Sequence, residues 1–348
     1  MKVKSLELKG YKQFENKKID FFDTHTGLSK NIIVLVGENG SGKSSVLQAI
    51  ASVLGTATGM LIQPSELDWS GFVYTSMKRP DENLLIKLTV QFEEDELKAT
   101  AEFAKHLGYS NIGNNLETSL RIDFNKNKVL GEAIKNYNQF KGRNYAITIR
   151  KQNPDTWDNF LRVGTILWYT EQRTATSLNK ETAEDSPIVF NYDTLRRRLY
   201  NFYVFHNNLK DFNFQMRKGQ RDVYAKLSEL YSKVFQGRKM VGFNPSRSIS
   251  FEEEPPFYFS DANNNFYELA EMSAGEKAIF PILLDFAYWQ IHNSVVLIDE
   301  IELHLHPPLQ QALLRALADE GSNNQFIITT HSDYVMSIFP ESSIIRLD

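Results

Sequence analysis

The sequence contains no cysteine and no stretch that approaches the roughly 18 apolar residues of a membrane-spanning helix. The first absence excludes disulfide bonds and thiolate metal sites, and it fits a reducing compartment, so we expect a cytoplasmic protein. The second gives no reason to expect a membrane role, and residues 1–7 lack the apolar core of a signal peptide. Internal repeats and sustained heptads are also lacking, which excludes solenoids and long coiled coils.

The charge is small overall and uneven along the chain. A composition of 42% apolar and 24% charged residues is ordinary for a globular protein with a sizeable core. The net charge of −4 predicts no general affinity for nucleic acid. Residues 187–250, however, hold 12 Lys or Arg against 4 Asp or Glu. Any contact with nucleic acid would therefore be local.

The most informative feature that is present is a phosphate loop. Residues 32–36 read Ile-Ile-Val-Leu-Val and predict a buried parallel strand, and residues 44–54 predict a helix. Between them the motif G-x-x-x-x-G-K-[ST] is complete. Its residues are Gly37, Glu38, Asn39, Gly40, Ser41, Gly42, Lys43, Ser44 and Ser45.

We expect this loop to bind a nucleoside triphosphate. Glycines let successive N–H groups point at a phosphate, and the helix N-terminus adds its positive end. Lys43 would contact the β and γ phosphates, and the hydroxyl of Ser44 would contact Mg²⁺. The alternative is a glycine-rich turn before an ordinary core helix, but the full match of the motif and its flanks favours the nucleotide site.

A second motif ends a second apolar run. Residues 295–298 predict a central strand, and Asp299 and Glu300 follow at its carboxyl end, where such sheets bind ligands. Asp299 is the candidate for holding Mg²⁺, and Glu300 is the candidate general base that polarises the attacking water. A strand that merely enters a solvated turn is the alternative, and the phosphate loop in the same chain makes it the weaker one.

Two further segments carry polar groups at the start or end of an element. Ser273, Ala274, Gly275 and Glu276 precede an apolar helix with capping-box spacing, which suits both a core helix and an anion site. Pro281 then predicts a bend or a later helix start.

The second of these segments, residues 325–332, predicts a buried strand that ends in Thr-Thr-His-Ser. A single histidine is often structural. At this position His331 is a candidate sensor of the γ phosphate.

Outside these motifs the chain shows both strand and helix patterns. Strands are predicted over residues 3–8, 18–22, 84–92, 120–124, 145–150 and 163–169. Helices are predicted over residues 192–210 and 218–235, and the polar residues 174–186 predict an exposed loop.

In this order the four motifs resemble the ABC-type ATPases of the SMC and OLD group. Residues 298–307, I-D-E-I-E-L-H-L-H-P, resemble the D-E-P-E-x-H-L-H-P block of OLD-like AAA ATPases, with Ile301 where proline is frequent. Residues 10–14, G-Y-K-Q-F, are similar to the G-F-K-S-F opening of SMC heads. The resemblance implies an α/β fold, an ABC-type ATPase head with a mixed sheet around the phosphate loop.

The same resemblance implies the domain organisation. Residues 1–55 and 265–348 would form the head, and residues 56–264 would form a large mixed α+β and helical insertion. This insertion would contain lobe-one strands, the exposed loop, and a basic helical region near residues 190–240.

The resemblance also implies an ATP sandwich, a homodimer in which two copies in opposite orientation share each nucleotide. Ser273 and Gly275 of one copy, within the signature that includes Ala274 and Glu276, would contact the γ phosphate held by the other. His331 would be the switch histidine. Loss of the γ phosphate would open the dimer, and the resemblance leaves higher-order assembly open.

Other residues correspond to the family less closely. Lys12 would lie beside the phosphates, and Gln172 fits the metal-reaching glutamine of lobe one better than Gln63 does. His306 replaces the D-loop aspartate of ABC transporters. His304 and His306 are better interpreted as packing or hydrogen-bonding groups than as metal ligands.

The basic region has two interpretations. Its cations alternate with aromatic residues, a pattern that suits phosphates and bases of DNA or RNA and equally a charged outer face on core helices. The candidate residues are Arg196, Arg197, Arg198, Arg217, Lys218 and Arg221.

The resemblance extends to the ATPases of bacterial anti-phage modules such as Septu and retron-associated systems. It implies a slow Mg-ATPase that controls a separate nuclease or toxin, because we expect no nuclease domain after Asp348. An SMC-like DNA-repair clamp and an ATP-dependent assembly scaffold with little turnover stay open as alternatives.

Overall fold

A computed structural model describes residues 1–76, 84–171, 192–243 and 255–347. The strands are β1 (Lys2–Tyr11), β2 (Phe14–Asp20), β3 (Ile32–Val36), β4 (Leu85–Gln91), β5 (Glu117–Asp123), β6 (Lys128–Gly131), β7 (Ile166–Tyr169), β8 (Lys239–Phe243), β9 (Phe257–Ser260), β10 (Phe266–Glu268), β11 (Val295–Ile298), β12 (Gln325–Thr329) and β13 (Ile344–Arg346). The helices are α1 (Lys43–Thr58), α2 (Glu94–His106), α3 (Ile134–Asn138), α4 (Gly142–Gln152), α5 (Tyr192–Asp211), α6 (Val223–Val234), α7 (Ala274–Trp289), α8 (Pro307–Ala318) and α9 (Asp333–Ile338). Within these ranges no helix has both the length and the apolar character to cross a membrane.

The central sheet has five parallel strands in the order β13-β3-β12-β11-β7. Its strands are largely apolar because alternate residues enter two different cores. In β3, for example, Val34 belongs to one core and Leu35 to the other. The parallel direction brings the carboxyl ends of all five strands to one edge, which is where the predicted site residues begin.

An antiparallel sheet in the order β2-β1-β4-β5-β6 faces the central sheet across α1. Nearly every residue of α1 is buried, which explains why its small and aliphatic residues run around the whole helix. Strands from the middle of the chain complete both sheets, since β4 pairs with β1 and β7 pairs with β11. The division of the chain at residues 55 and 265 stays a prediction.

The other face of the central sheet is covered by α7 and α8, and beyond them by α6 and a three-stranded sheet in the order β10-β9-β8. Aromatic residues dominate this packing. The ring of Tyr231 lies 5.2 Å from that of Phe259 and 6.1 Å from that of Phe280. A buried aromatic cluster thus connects α6 and β9 to α7.

The strand predicted over residues 145–150 is wrong, because this segment lies within α4. Its β-branched residues favour a strand locally, but Tyr145, Ala146 and Ile149 are buried together at helical spacing. They pack in one cluster with Ala99 and Phe103 of α2. Tertiary packing therefore overrode the local preference.

Two helix boundaries also differ from prediction. The helix expected from residue 218 begins at Val223, because Asp222 is its N-cap and accepts the N–H of Ala225 at 3.0 Å. Of the bend or later helix start expected at Pro281, the later start is wrong, since α7 is continuous from Ala274, and the bend stays a prediction. The predicted loop 174–186 lies outside the described residues.

Candidate functional site

The phosphate loop joins β3 to α1, and one of its glycines is required by a close contact. Gly42 has a left-handed backbone, with φ of 98°, and is the N-cap residue of α1. A Cβ atom there would lie 1.7 Å from Nε2 of Gln13 and 2.4 Å from the ring of Phe14. Only glycine fits, both by conformation and by the approach of the turn between β1 and β2.

Lys43 is buried and donates to carbonyls of its own loop. Its Nζ lies 2.9 Å from the carbonyl oxygens of Gly37 and of Glu38. Burial lowers the pKa of the Lys43 ammonium, and the nearby carboxylates of Asp299 and Glu300 oppose this shift. Because charged phosphate oxygens are stronger acceptors than neutral carbonyls, this ammonium can exchange one for the other.

Asp299 follows β11 and contacts the phosphate loop directly. Its Oδ1 accepts the hydroxyl of Ser44 at 3.1 Å and that of Thr329 at 2.5 Å. The hydroxyl of Ser44 and the carboxylate of Asp299 are the hard oxygen ligands that Mg²⁺ prefers. The structure thus brings together Ser44 and Asp299, two of the three residues predicted to hold the metal.

Glu300 has a left-handed backbone, with φ of 46°, and its N–H donates to Oγ1 of Thr329 at 2.8 Å. Burial raises the pKa of the Glu300 carboxyl, and the negative charges of Asp299 and Glu302 raise it further. A raised pKa is a property that enzymes use in general bases.

These groups surround a cavity of about 240 Å³ at the carboxyl edge of the central sheet. Its lining residues are Gln13, Asn39, Gly40, Gly42, Lys43, Ser44, Ser45, Glu300 and His331. In the same loop Ser41 has a buried hydroxyl that finds no hydrogen-bond partner within the described residues. A helix N-terminus, a lysine and an unsatisfied hydroxyl suit the phosphates of a nucleotide. A larger cavity of about 340 Å³ beside β4 and β5 contains none of the predicted site residues.

Lys12 does not line this cavity. Its Nζ donates to Oε1 of Gln48 at 2.5 Å and to the carbonyl of Gly71 at 2.9 Å. The next residue, Gln13, lines the cavity in its place. A contact between Lys12 and bound phosphates stays a prediction.

The remaining residues that the sequence analysis considered for a metal are Gln172, His304 and His306. Gln172 falls outside the described residues. His304 and His306 are exposed in the segment between β11 and α8. Throughout the described ranges, no group of three or more His, Asp or Glu residues is arranged to hold a metal ion.

The signature residues Ser273 to Glu276 do not line the cavity, and the side chain of Glu276 is directed into the protein. Oε2 of Glu276 accepts the N–H of Ser273 at 2.9 Å, its hydroxyl at 2.7 Å, and the guanidinium of Arg238 at 2.5 Å. Oε1 accepts the hydroxyls of Tyr231 and Tyr267, each at 2.5 Å. The capping box is confirmed, and it is part of a larger network.

This network determines the charge of Glu276. Burial raises the pKa of its carboxyl, but the hydrogen bonds from Arg238, Tyr231, Tyr267 and Ser273 outweigh burial and lower the pKa to about 2. The carboxylate is therefore ionised at neutral pH. Ser273 and Ala274 remain exposed at the start of α7, where free N–H groups can meet an anion.

The basic residues are largely paired within the chain. Arg196 contacts Glu268 at 2.9 Å, and Lys218 contacts Asp158 at 2.8 Å. Two more of these residues also have polar partners: Arg217 lies 3.6 Å from Asp155, and Arg221 donates to the carbonyl of Phe286 at 3.2 Å. Arg198 takes part in an interaction as well. Arg197 is exposed and also takes part in an interaction. The aromatic neighbours Phe202 and Tyr203 pack against the core.

Comparison with known proteins identifies the family. A family model described as AAA domain, putative AbiEii toxin, Type IV TA system matches residues 32–337. The chain belongs to this AAA family. A second AAA-domain model matches residues 1–56.

Individual relatives agree with the family match. This AAA protein is 25% identical to the Retron Ec83 probable ATPase of Escherichia coli over 406 aligned positions, covering 99% of this chain and 71% of that protein. It is 25% identical to the Septu protein PtuA of Bacillus mycoides over 345 positions, covering 95% of this chain and 38% of that protein. The predicted relation to retron and Septu proteins is confirmed, whereas placement in the OLD-like subgroup stays a prediction.

A solved structure supports the fold. The AAA protein matches an SMC head bound to the C-terminal winged-helix domain of ScpA with a TM-score of 0.51 and 19% identity, over 99% of this chain and 94% of that one. The predicted ABC-type, SMC-like head fold is thereby confirmed.

Several site residues escaped the sequence analysis. Gln13 follows Lys12 in the G-Y-K-Q-F segment, and Glu302 follows Glu300 by two residues. Both could have been proposed from their position beside predicted site residues. Tyr231 and Arg238 held none, because only the fold brings them to the signature turn.

Proposed function

We propose that this AAA-family protein binds Mg-ATP, hydrolyses it slowly, and closes as a homodimer around the shared nucleotide to control a separate effector. The observation that carries this proposal is the convergence of Lys43, Ser44, Glu300 and His331 around one cavity, with Asp299 hydrogen-bonded to Ser44. The relatives named for retron and Septu systems support a role in anti-phage defence, with a nuclease or toxin as the effector.

The residues would divide the work of hydrolysis. Lys43 would leave its carbonyl partners to hold the terminal phosphates, and Ser44 and Asp299 would hold Mg²⁺. When bound, Mg²⁺ neutralises charge on the phosphates. Glu300 would accept a proton from the attacking water, and His331 would hydrogen-bond the γ phosphate.

The separation of the two motifs supports the proposed dimer. The exposed signature turn at Ser273 lies outside the cavity that contains Lys43, so it is available to complete the cavity of a second copy. Two helix N-termini would then face one γ phosphate, which only intact ATP supplies. Hydrolysis would remove that shared charge and release the dimer.

Trapping the bound state tests the proposal. We expect Glu300→Gln, which cannot accept the proton, to form a stable dimer with MgATP and to lose turnover at least about 100-fold. Light scattering and an ATPase assay measure both effects, and the Lys43→Ala, Glu300→Gln double variant is the control that should stay monomeric. A monomer at saturating MgATP would reject the dimer, and normal turnover would reject Glu300 as the base.

The alternatives differ in turnover and in nucleic-acid binding. A scaffold would bind ATP and assemble without measurable turnover in the wild type. A clamp would need free cations in the basic region, whereas Arg196 and Lys218 already contact carboxylates. The structure therefore favours neither alternative over the ATPase.

A further inference from the structure

Glu302 lies in the turn after β11, two residues beyond Glu300, and its carboxylate reaches the end of β12. Oε1 accepts the backbone N–H of His331 at 2.5 Å, and Oε2 accepts the hydroxyl of Thr330 at 2.8 Å. Both hydrogen bonds end on a carboxylate of a half-buried residue, so they are stronger than bonds between neutral groups. Glu302 therefore ties the turn after one strand to the end of the next.

These two bonds act on a turn that is already constrained. The left-handed backbone of Glu300 is a conformation that non-glycine residues keep only when their surroundings hold it. Thr329 supplies part of this hold, since its Oγ1 accepts the N–H of Glu300 at 2.8 Å and its carbonyl accepts that of Ile301 at 3.2 Å. Glu302 adds a further hydrogen bond between the same turn and the end of β12, from the N–H of His331.

We propose that Glu302 is a positioning residue for hydrolysis, which fixes the backbone of His331 relative to Glu300. Glu302 does not line the cavity but hydrogen-bonds the backbone of His331, which does, so Glu302 acts through His331. This role rests on the proposed ATPase function. Lys43 and Ser44, which we expect to hold the phosphates and Mg²⁺, have other hydrogen-bond partners in the structure, so we expect ATP binding to depend little on Glu302.

The first test separates turnover from binding. The amide of Glu302→Gln has one acceptor oxygen for two donors, and we expect kcat to fall about tenfold, the size of one lost charge-assisted hydrogen bond. ATP affinity and KM should stay at the wild-type values. Glu94→Gln, a matched change at an exposed glutamate of α2, should behave as wild type. An unchanged kcat in Glu302→Gln would overturn the proposal.

A double-mutant cycle distinguishes positioning from a general structural role. In a His331→Ala background, Glu302→Gln should lower kcat no further, because the group that Glu302 positions is absent. Equal falls in both backgrounds would overturn the role of Glu302. Thr330→Val, which removes one of the two bonds and keeps the side-chain shape, gives a second cycle if Glu302→Gln does not fold.

The same assays show which proposal has failed. Normal turnover in Glu300→Gln would overturn the proposed function and this role of Glu302 with it. If Glu300→Gln loses turnover but Glu302→Gln lowers kcat equally with and without His331→Ala, only the positioning role would be overturned.

Discussion

The phosphate-loop face and the signature turn of this protein both begin a helix, but they are held in different ways. At the phosphate loop, Lys43 donates to carbonyls of its own loop, and these are contacts that a bound phosphate would replace. At the signature turn, Glu276 accepts bonds from Tyr231, Tyr267 and Arg238, none of which a nucleotide would displace. Under the proposed function, Lys43 would exchange these partners for phosphate oxygens, whereas the signature turn would keep its hydrogen bonds.

This difference indicates a division of tasks. A loop whose lysine exchanges partners suits capture of nucleotide by a single copy. A turn that a buried carboxylate holds rigid suits a second copy that completes the site, because a preorganised surface loses little entropy on binding. Changes to the first face should therefore affect ATP binding, and changes to the second should affect stability and dimer formation.

The largest effect is expected at the phosphate loop. Lys43→Ala should weaken ATP binding about 100-fold, since a hydrogen bond from a charged group contributes roughly 1.5–3 kcal/mol. The midpoint of thermal unfolding should change little, because the neutral carbonyls of Gly37 and Glu38 remain near solvent. Calorimetric titration with ATP measures the binding. Lys98→Ala, on the exposed face of α2, is the control, and equal affinities in the two variants would contradict the assignment.

A smaller effect, on stability, is expected at the signature turn. Glu276→Gln should lower the free energy of unfolding at neutral pH by on the order of 3 kcal/mol, from a folded pKa of about 2 against an ordinary 4.5. The folded pKa is depressed, so the ionised carboxylate stabilises the fold above about pH 4.5, and this contribution is lost as pH falls toward 2. The gap between wild type and variant should therefore narrow in acid.

Denaturant unfolding at several pH values measures this gap, with Glu94→Gln as the exposed control. ATP binding by the monomer should not change in Glu276→Gln, whereas the dimer trapped by Glu300→Gln should weaken. A gap that stays constant down to pH 2 would show that the Glu276 carboxylate is not the source of the stability.

The smallest effect is expected in the basic region, outside both faces. Replacing Arg196, Arg197 and Arg198 with alanine should leave DNA affinity and its salt dependence unchanged, because Arg196 is already paired with Glu268. Filter binding at several salt concentrations measures both quantities. A clear loss of DNA affinity with a shallower salt dependence would instead support the DNA-repair clamp.

Local patterns predicted the parts of the molecule that depend on neighbours in sequence. The buried strand before the phosphate loop and the capping box at Ser273 are confirmed, because an apolar run and a helix cap involve residues only a few positions apart. The strand expected over residues 145–150 failed for the opposite reason. Its partner surface is α2, and no local rule specifies that contact.

The sequence by itself determined which motifs this protein carries, their order along the chain, and that two of them follow buried strands. Only the tertiary structure decided that Gln13 rather than Lys12 lines the cavity, that Glu276 is directed inward to Tyr231, and that Glu302 holds His331. The physical reason is that these contacts join residues that are distant or on different elements. Their geometry is defined only when sheets and helices pack.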